Sequence, residues 1–131
     1  ASAKICELLQ LPALSSVIQI CRARRIDQRL VLYVEHYLNP EYFPGILDYD
    51  LNQSLTELYA SQYNLRYGQV QFEMVPTALH AEASAALKVS LGSPGLRIAR
   101  VNFDQQGRLI DCDLEFWRHD AIHVSAVVRD I

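Results

Sequence analysis

The chain has 131 residues, with 12 basic residues against 15 acidic ones and a formal net charge of −3. This length fits one compact domain, and the acidic balance argues against a free-standing nucleic-acid binder, which carries a basic surplus. Hydrophobic residues make up 50% of the chain and charged residues 21%, which excludes a disordered tail, while the longest apolar run, Leu30–Val34, is far too short to span a membrane.

In chain order, Ser2–Leu11 reads as a short helix with Ser2 as its cap and Pro12 as its stop. Ser16–Ile26 alternates as a strand, placing Ile18, Ile20, Arg22, Arg24 and Ile26 on one face. A turn at Asp27–Arg29 leads into a second strand, Leu30–Leu38, to form an antiparallel hairpin. Asn39–Asp50 carries Pro40, Pro44 and Gly45 and is not one helix. Ser54-Leu-Thr-Glu57 is a capping-box pattern that opens a helix to about Tyr63. Arg66–Val75 alternates as a strand, and Pro76-Thr77 predicts the start of an Ala-rich helix over Ala78–Leu87 with Thr77 as its cap. Leu96–Phe103 and Leu109–Trp117 form a second hairpin, and Ile122–Val128 reads as a final strand. This order implies an α+β fold with helices packed on one antiparallel sheet.

A repeat lies inside this order. Leu9, Ile18-x-Ile20-x-Arg22 and Leu30-Val31 match Leu87, Leu96-x-Ile98-x-Arg100 and Leu109-Ile110, with an offset of 78 residues (22 to 100) that becomes 79 after the turn (30 to 109). Each copy is helix, strand, turn, strand. Two copies are too few for a solenoid; two hairpins related by a pseudo-twofold axis in one sheet are the economical arrangement.

Chemistry-bearing motifs are sparse. Cys6, Cys21 and Cys112 are odd in number and lack Cys-x-x-Cys spacing, which favours a reduced protein with small thiols. His119 and His123 are four apart, a metal-binding spacing only on a helix, and no metal is assigned. There is no nucleophile elbow and too little glycine for a phosphate loop or a dinucleotide fingerprint. Ten of the 12 basic residues are arginine. Either codon usage or a need for planar forks that bind carboxylates and phosphates accounts for that skew. From spacing alone, Arg22 and Arg24 are either a surface pair salt-bridged to an acid such as Glu35 or a fork for an anion.

An ordered series of residues carries a family resemblance. It comprises Arg22-Ala-Arg24, Asp27, Val31–Val34, Glu35-His36-Tyr37 and Phe43-Pro44-Gly45. Ser54-Leu55 then opens a helix, followed by Ile98-x-Arg100, Asp104, Gly107-Arg108-Leu109-Ile110-Asp111 and Trp117-Arg118-His119-Asp120. Over nearly its whole length the chain resembles the UTRA domain, the effector-binding half of GntR-type transcriptional regulators of the HutC subfamily. The resemblance implies a chorismate lyase-like sheet with a small-molecule pocket between sheet and helices. It also implies a cytoplasmic homodimer with no catalytic role and no cofactor. Operator DNA would be contacted only through an N-terminal winged helix-turn-helix, which this chain does not contain. The strand that family members carry ahead of the first helix is also missing, so the chain reads as a fragment.

For an effector, the resemblance points to Arg22, Arg24, Glu35, Ser54, Asp111 and Trp117 as the binding residues, and to Arg100 as a structural or dimer-related residue. Ser54 is equally a plain helix cap, and Glu35 equally an ion-pair partner of Arg22 or Arg25. Asp111 and Trp117 share a strand face because they are an even number of residues apart. Trp117 is also a natural core residue. Leu30 and Leu109 stand where the family often has proline, and His119 where it has glycine. On the same sheet, a chorismate lyase-like enzyme is the alternative reading.

Overall fold

A computed structural model describes residues 2–121. The helix α1 (Ala3–Leu9) begins at Ser2, whose hydroxyl accepts the Ile5 N–H at 3.3 Å. A left-handed residue, Gln10, ends the helix, and the Leu11 N–H returns to the Cys6 carbonyl at 2.8 Å. This closure satisfies carbonyls that the last turn leaves open. Strands β1 (Ile18–Ile26) and β2 (Arg29–Leu38) follow. They are joined by Asp27 and Gln28, both with positive φ, the turn geometry that matches the right-handed twist of a hairpin.

The intervening segment holds two 3-10 turns, Pro40–Tyr42 and Ile46–Asp48, and the helix α2 (Leu55–Tyr63). Next come β3 (Tyr67–Ala78), α3 (Ala81–Leu87), β4 (Pro94–Asp104) and β5 (Leu109–Arg118). The strand expected over Ile122–Val128 lies outside the described residues.

One boundary differs from the sequence expectation. Pro76 and Thr77 do not open a helix. They continue β3, pairing with Leu96 and Gly95, and α3 starts only at Ala81 with His80 at its cap position. β3 is the last strand of the sheet, and an edge strand tolerates a proline because its missing N–H faces outward. Full pairing with β4 therefore overrides the local helix signal.

The five strands form one antiparallel sheet in the order β1-β2-β5-β4-β3. The two hairpins meet at β2 and β5, and the repeat recurs in fine detail. α1 and α3 have the same length and end on left-handed residues, Gln10 and Lys88. The bond from Leu11 to Cys6 is repeated from Val89 to Ser84 at 3.0 Å. Ser15 and Ser93, also 78 apart, each turn a hydroxyl onto the carbonyl three residues back at 2.6 Å. Glu35 pairs with Leu114, its own counterpart in the repeat (35 to 114), so the pseudo-twofold axis passes through that pair.

Each face of the sheet has its own core. On one face α1 and α3 bury Ile5, Leu9, Leu79, Ala83 and Leu87 against Tyr33, Cys112, Leu114 and Phe116. On the other, the segment between β2 and β3 buries Phe43, Ile46, Leu55, Leu58 and Tyr59 against Ile20, Leu38 and Ile110. Each Leu, Ile or Phe among them, fully buried, contributes about 1.5–3 kcal/mol.

Candidate functional site

The sheet face beneath α2 is a grid set by strand register. Its rows run Arg24, Leu32, Trp117, Leu96; then Arg22, Val34, Glu115, Ile98; then Ile20, His36, Asp113, Arg100; then Ile18, Leu38, Asp111, Asn102. α2 closes over the last of these rows. Its N-terminal end, Ser54–Thr56, combines with parts of the first three rows to line a cavity of about 270 Å³. An open recess of about 580 Å³ adjoins it along β1 and shares Arg22 and Arg24.

The helix tip is built locally. Ser54 has extended backbone, and its hydroxyl accepts the Glu57 N–H at 3.3 Å. Half of the expected capping box therefore forms. The first N–H groups of a helix have no partner within it and carry the positive end of its dipole, and here they belong to Leu55 and Thr56, which line the cavity.

The arginines differ. Arg22 is fastened on both sides. Its Nε and Nη2 donate to His36 Nε2 at 3.3 and 3.1 Å, and its Nη1 donates to the Gln53 carbonyl at 3.2 Å. Burial, and then the charge of Arg24, hold its pKa below the usual guanidinium value. Arg24 sits exposed at the mouth and makes no hydrogen bond or ion pair among the described residues. Two guanidiniums on one strand face, one fixed and one free, form a fork for a phosphate or carboxylate.

Behind Arg22 runs a polar chain. His36 Nδ1 lies 2.6 Å from Asp113 Oδ1, so the ring keeps its proton on Nδ1 and offers the Nε2 lone pair to Arg22. Asn102 Nδ2 donates to Asp113 Oδ2 and to Asp111 Oδ1, both at 2.9 Å. The hydroxyls of Tyr59 and Tyr67 donate to Asp111 Oδ2 at 3.0 and 3.2 Å. Burial, and then the neighbouring Asp113, push the Asp111 carboxyl up to about 7, although these three hydrogen bonds pull it down. Burial and the same carboxylates drive the Tyr59 and Tyr67 hydroxyls far above their ordinary range. Asn102 Oδ1 is buried without a hydrogen-bond partner.

Of the residues singled out from sequence, Arg22, Arg24 and Ser54 meet around this cavity. Glu35 does not. Alternation turns Val34 and His36 toward the cavity, so Glu35 points to the opposite face. There it accepts the Tyr37 hydroxyl at 2.9 Å and lies 3.2 Å from His80 Nε2, and no ion pair with Arg22 or Arg25 forms. Asp111 is on the cavity face but is sealed beneath Tyr59 and Tyr67. Trp117 is also on that face, in the row of Arg24 and Leu32, but does not line the cavity, and its indole N–H donates to Glu115 at 2.9 Å.

His36, Tyr67, Arg100, Asp113 and Glu115 line the cavity but were not chosen as binding residues from sequence. The signal for two of them was present, because any face that holds Asp111 and Trp117 must also hold Asp113 and Glu115.

Three comparisons bear on this architecture. The model of the UTRA domain matches residues 1–123. The HTH-type transcriptional regulator YihL of Escherichia coli is 30% identical over 97 residues, covering 74% of this chain but only 41% of that protein. Two solved structures share the fold at 21% identity. The effector domain of PhnF from Mycobacterium smegmatis superposes with a TM-score of 0.88 over 99% of this chain and 80% of that one. The C-terminal domain of Yurk from Bacillus subtilis gives 0.87 over 94% and 85%. A GntR-family regulator from Enterococcus faecalis, 14% identical, gives 0.81 over 98% and 92%. The chain belongs to the UTRA domain family, the effector-domain family of GntR-type regulators.

Proposed function

We propose that this chain is the small-molecule sensor of a HutC-type transcriptional regulator and binds an anionic metabolite, a sugar phosphate or an organic acid, between β1 and the tip of α2. The observation that carries this reading is the convergence of the unengaged Arg24 guanidinium, the half-buried Arg22 and the Ser54 helix end on one cavity. An anion there receives charge-assisted hydrogen bonds from both arginines and from helix N–H groups. At about 270 Å³ the cavity is slightly smaller than ordinary ligand pockets, which run from about 300 to 1,000 Å³, and suits a compact metabolite.

The chain spans about two-fifths of the regulator YihL that it matches, and the remainder of the protein is assigned operator-DNA binding through an N-terminal winged helix. The sensor acts as a cytoplasmic homodimer. Phe72 (64% exposed) and Met74, on edge strand β3, are apolar surface of the kind a second copy covers. Ligand and DNA are coupled only if the ligand binds two dimer arrangements unequally; a coupling of about 1–3 kcal/mol gives roughly 5–150-fold control.

The test is a thermal-shift screen of phosphorylated sugars and organic acids, followed by calorimetry of the best binder on Arg24→Ala. Affinity is expected to fall at least about tenfold, the worth of a charge-assisted contact. Unchanged affinity in the variant overturns the anion fork.

A further inference from the structure

We infer that Glu115 makes this cavity selective for anions that also carry an ammonium group, an inference that rests on the anion reading above. Glu115 lies in the same row as Arg22, two strands across through Val34, which separates the two backbones by about 10 Å. Both side chains line the one cavity. The cavity therefore has two poles, an arginine fork with a helix tip at one end and a carboxylate at the other.

The carboxylate is oriented but incompletely satisfied. Glu115 Oε1 accepts the Trp117 indole N–H at 2.9 Å, whereas Oε2 is 3.6 Å from Arg100 Nη1, too far for a hydrogen bond. Among the described residues Oε2 is ion-paired with Arg100 but accepts no hydrogen bond. The side chain is only 16% exposed, so water compensates this charge poorly, and a largely desolvated carboxylate with an open lone pair favours a charged donor. Asp113 is not available in this way, because one of its oxygens faces His36 and the other Asn102.

Charge balance points to the same class. The lining holds Arg22, Arg24 and Arg100 against Asp113 and Glu115, with His36 neutral in the tautomer its partners require. That leaves one positive charge in excess. A phosphate monoester near its dianionic form that also bears one ammonium group carries about one net negative charge and matches it. A hydroxyl in place of the ammonium supplies the hydrogen bond but not the charge.

The experiment is calorimetry on the 131-residue chain with three probes: 2-aminoethyl phosphate, 2-hydroxyethyl phosphate and ethyl phosphate. The amine is expected to bind about tenfold tighter than either of the others. In Glu115→Gln, with folding checked by its melting curve, the amine-to-ethyl ratio is expected to fall to within about twofold. Trp117→Phe, which removes only the N–H that orients the carboxylate, is expected to lower the ratio roughly threefold, and this second variant carries the test if the first does not fold. Equal binding of amine and hydroxyl probes, or a ratio that survives in Glu115→Gln, overturns the inference. If ethyl phosphate binds Arg24→Ala as well as the wild type while the Glu115 effect persists, the anion fork fails and the ammonium pole stands. No binding of any of the three overturns both.

Discussion

The two repeated units share a backbone but differ in what covers them. Under the pseudo-twofold, Arg22 corresponds to Arg100, and His36 corresponds to Glu115. Both arginines face a partner in the adjacent row, Arg22 hydrogen-bonded to His36 and Arg100 ion-paired with Glu115 at 3.6 Å. The first unit, however, is followed by the segment that carries Phe43, Ile46 and α2, and this segment folds back over the sheet. It gives Arg22 the Gln53 carbonyl and a helix tip as neighbours, while Arg100 is held by its ion pair with Glu115 on the sheet itself. A nearly symmetric sheet thus becomes an asymmetric site through one insertion. The duplicated hairpin supplies paired charges, and the lid decides which of them is fastened to it.

The lid's tyrosine and the sheet's asparagine both close on Asp111, where the largest effect is expected. Its carboxyl is pushed from 3.8 to about 7 by burial and Asp113. The folded protein therefore holds a proton that the unfolded chain has already released. The stability associated with this group is complete below about pH 4, declines as pH rises toward 7, and is lost above it, by an amount on the order of a few kcal/mol. Asp111→Asn has no such titration. In urea denaturation at about pH 5 and pH 8, the wild type is expected to weaken more than the variant, and parallel losses contradict the assignment.

A smaller effect sharpens the comparison from the turns. Gln28 has φ 67, and the residue that follows it by 79 in the second hairpin is Gly107, with φ 78. A side chain in the left-handed region is strained, and glycine is not. Gln28→Gly is expected to gain about 0.5–1 kcal/mol in urea denaturation after the entropy cost of glycine is subtracted. A loss there shows that the two turns are not equivalent.

Much of this fold was legible because its signals are local. Alternation in Ile18–Ile26, the capping pattern at Ser54, and the repeat of Ile-x-Arg at positions 20–22 and 98–100 need no tertiary knowledge. The start of α3 was not legible, because pairing of Pro76 and Thr77 with β4 depends on a strand some 20 residues away. Residue type alone picks out Arg22, Arg24 and Ser54, which the structure brings to one cavity. It does not place Glu35, because which parity of β2 faces the lid follows from register across β1 and β5 and not from β2 itself. Glu115 and Asp113 were overlooked although the parity of Asp111 and Trp117 already placed them on that face.

The central claim, that the arginine fork and the tip of α2 hold one anion between them, is tested most directly by nuclear magnetic resonance. Inorganic phosphate is titrated into labelled protein while the backbone amides of Leu55 and Thr56 and the Nε–H signals of Arg22 and Arg24 are followed. These four signals are expected to move together along one saturable curve, and the three that remain in Arg24→Ala are expected to stay in place. Phosphate that shifts other signals while these four stay in place contradicts the claim.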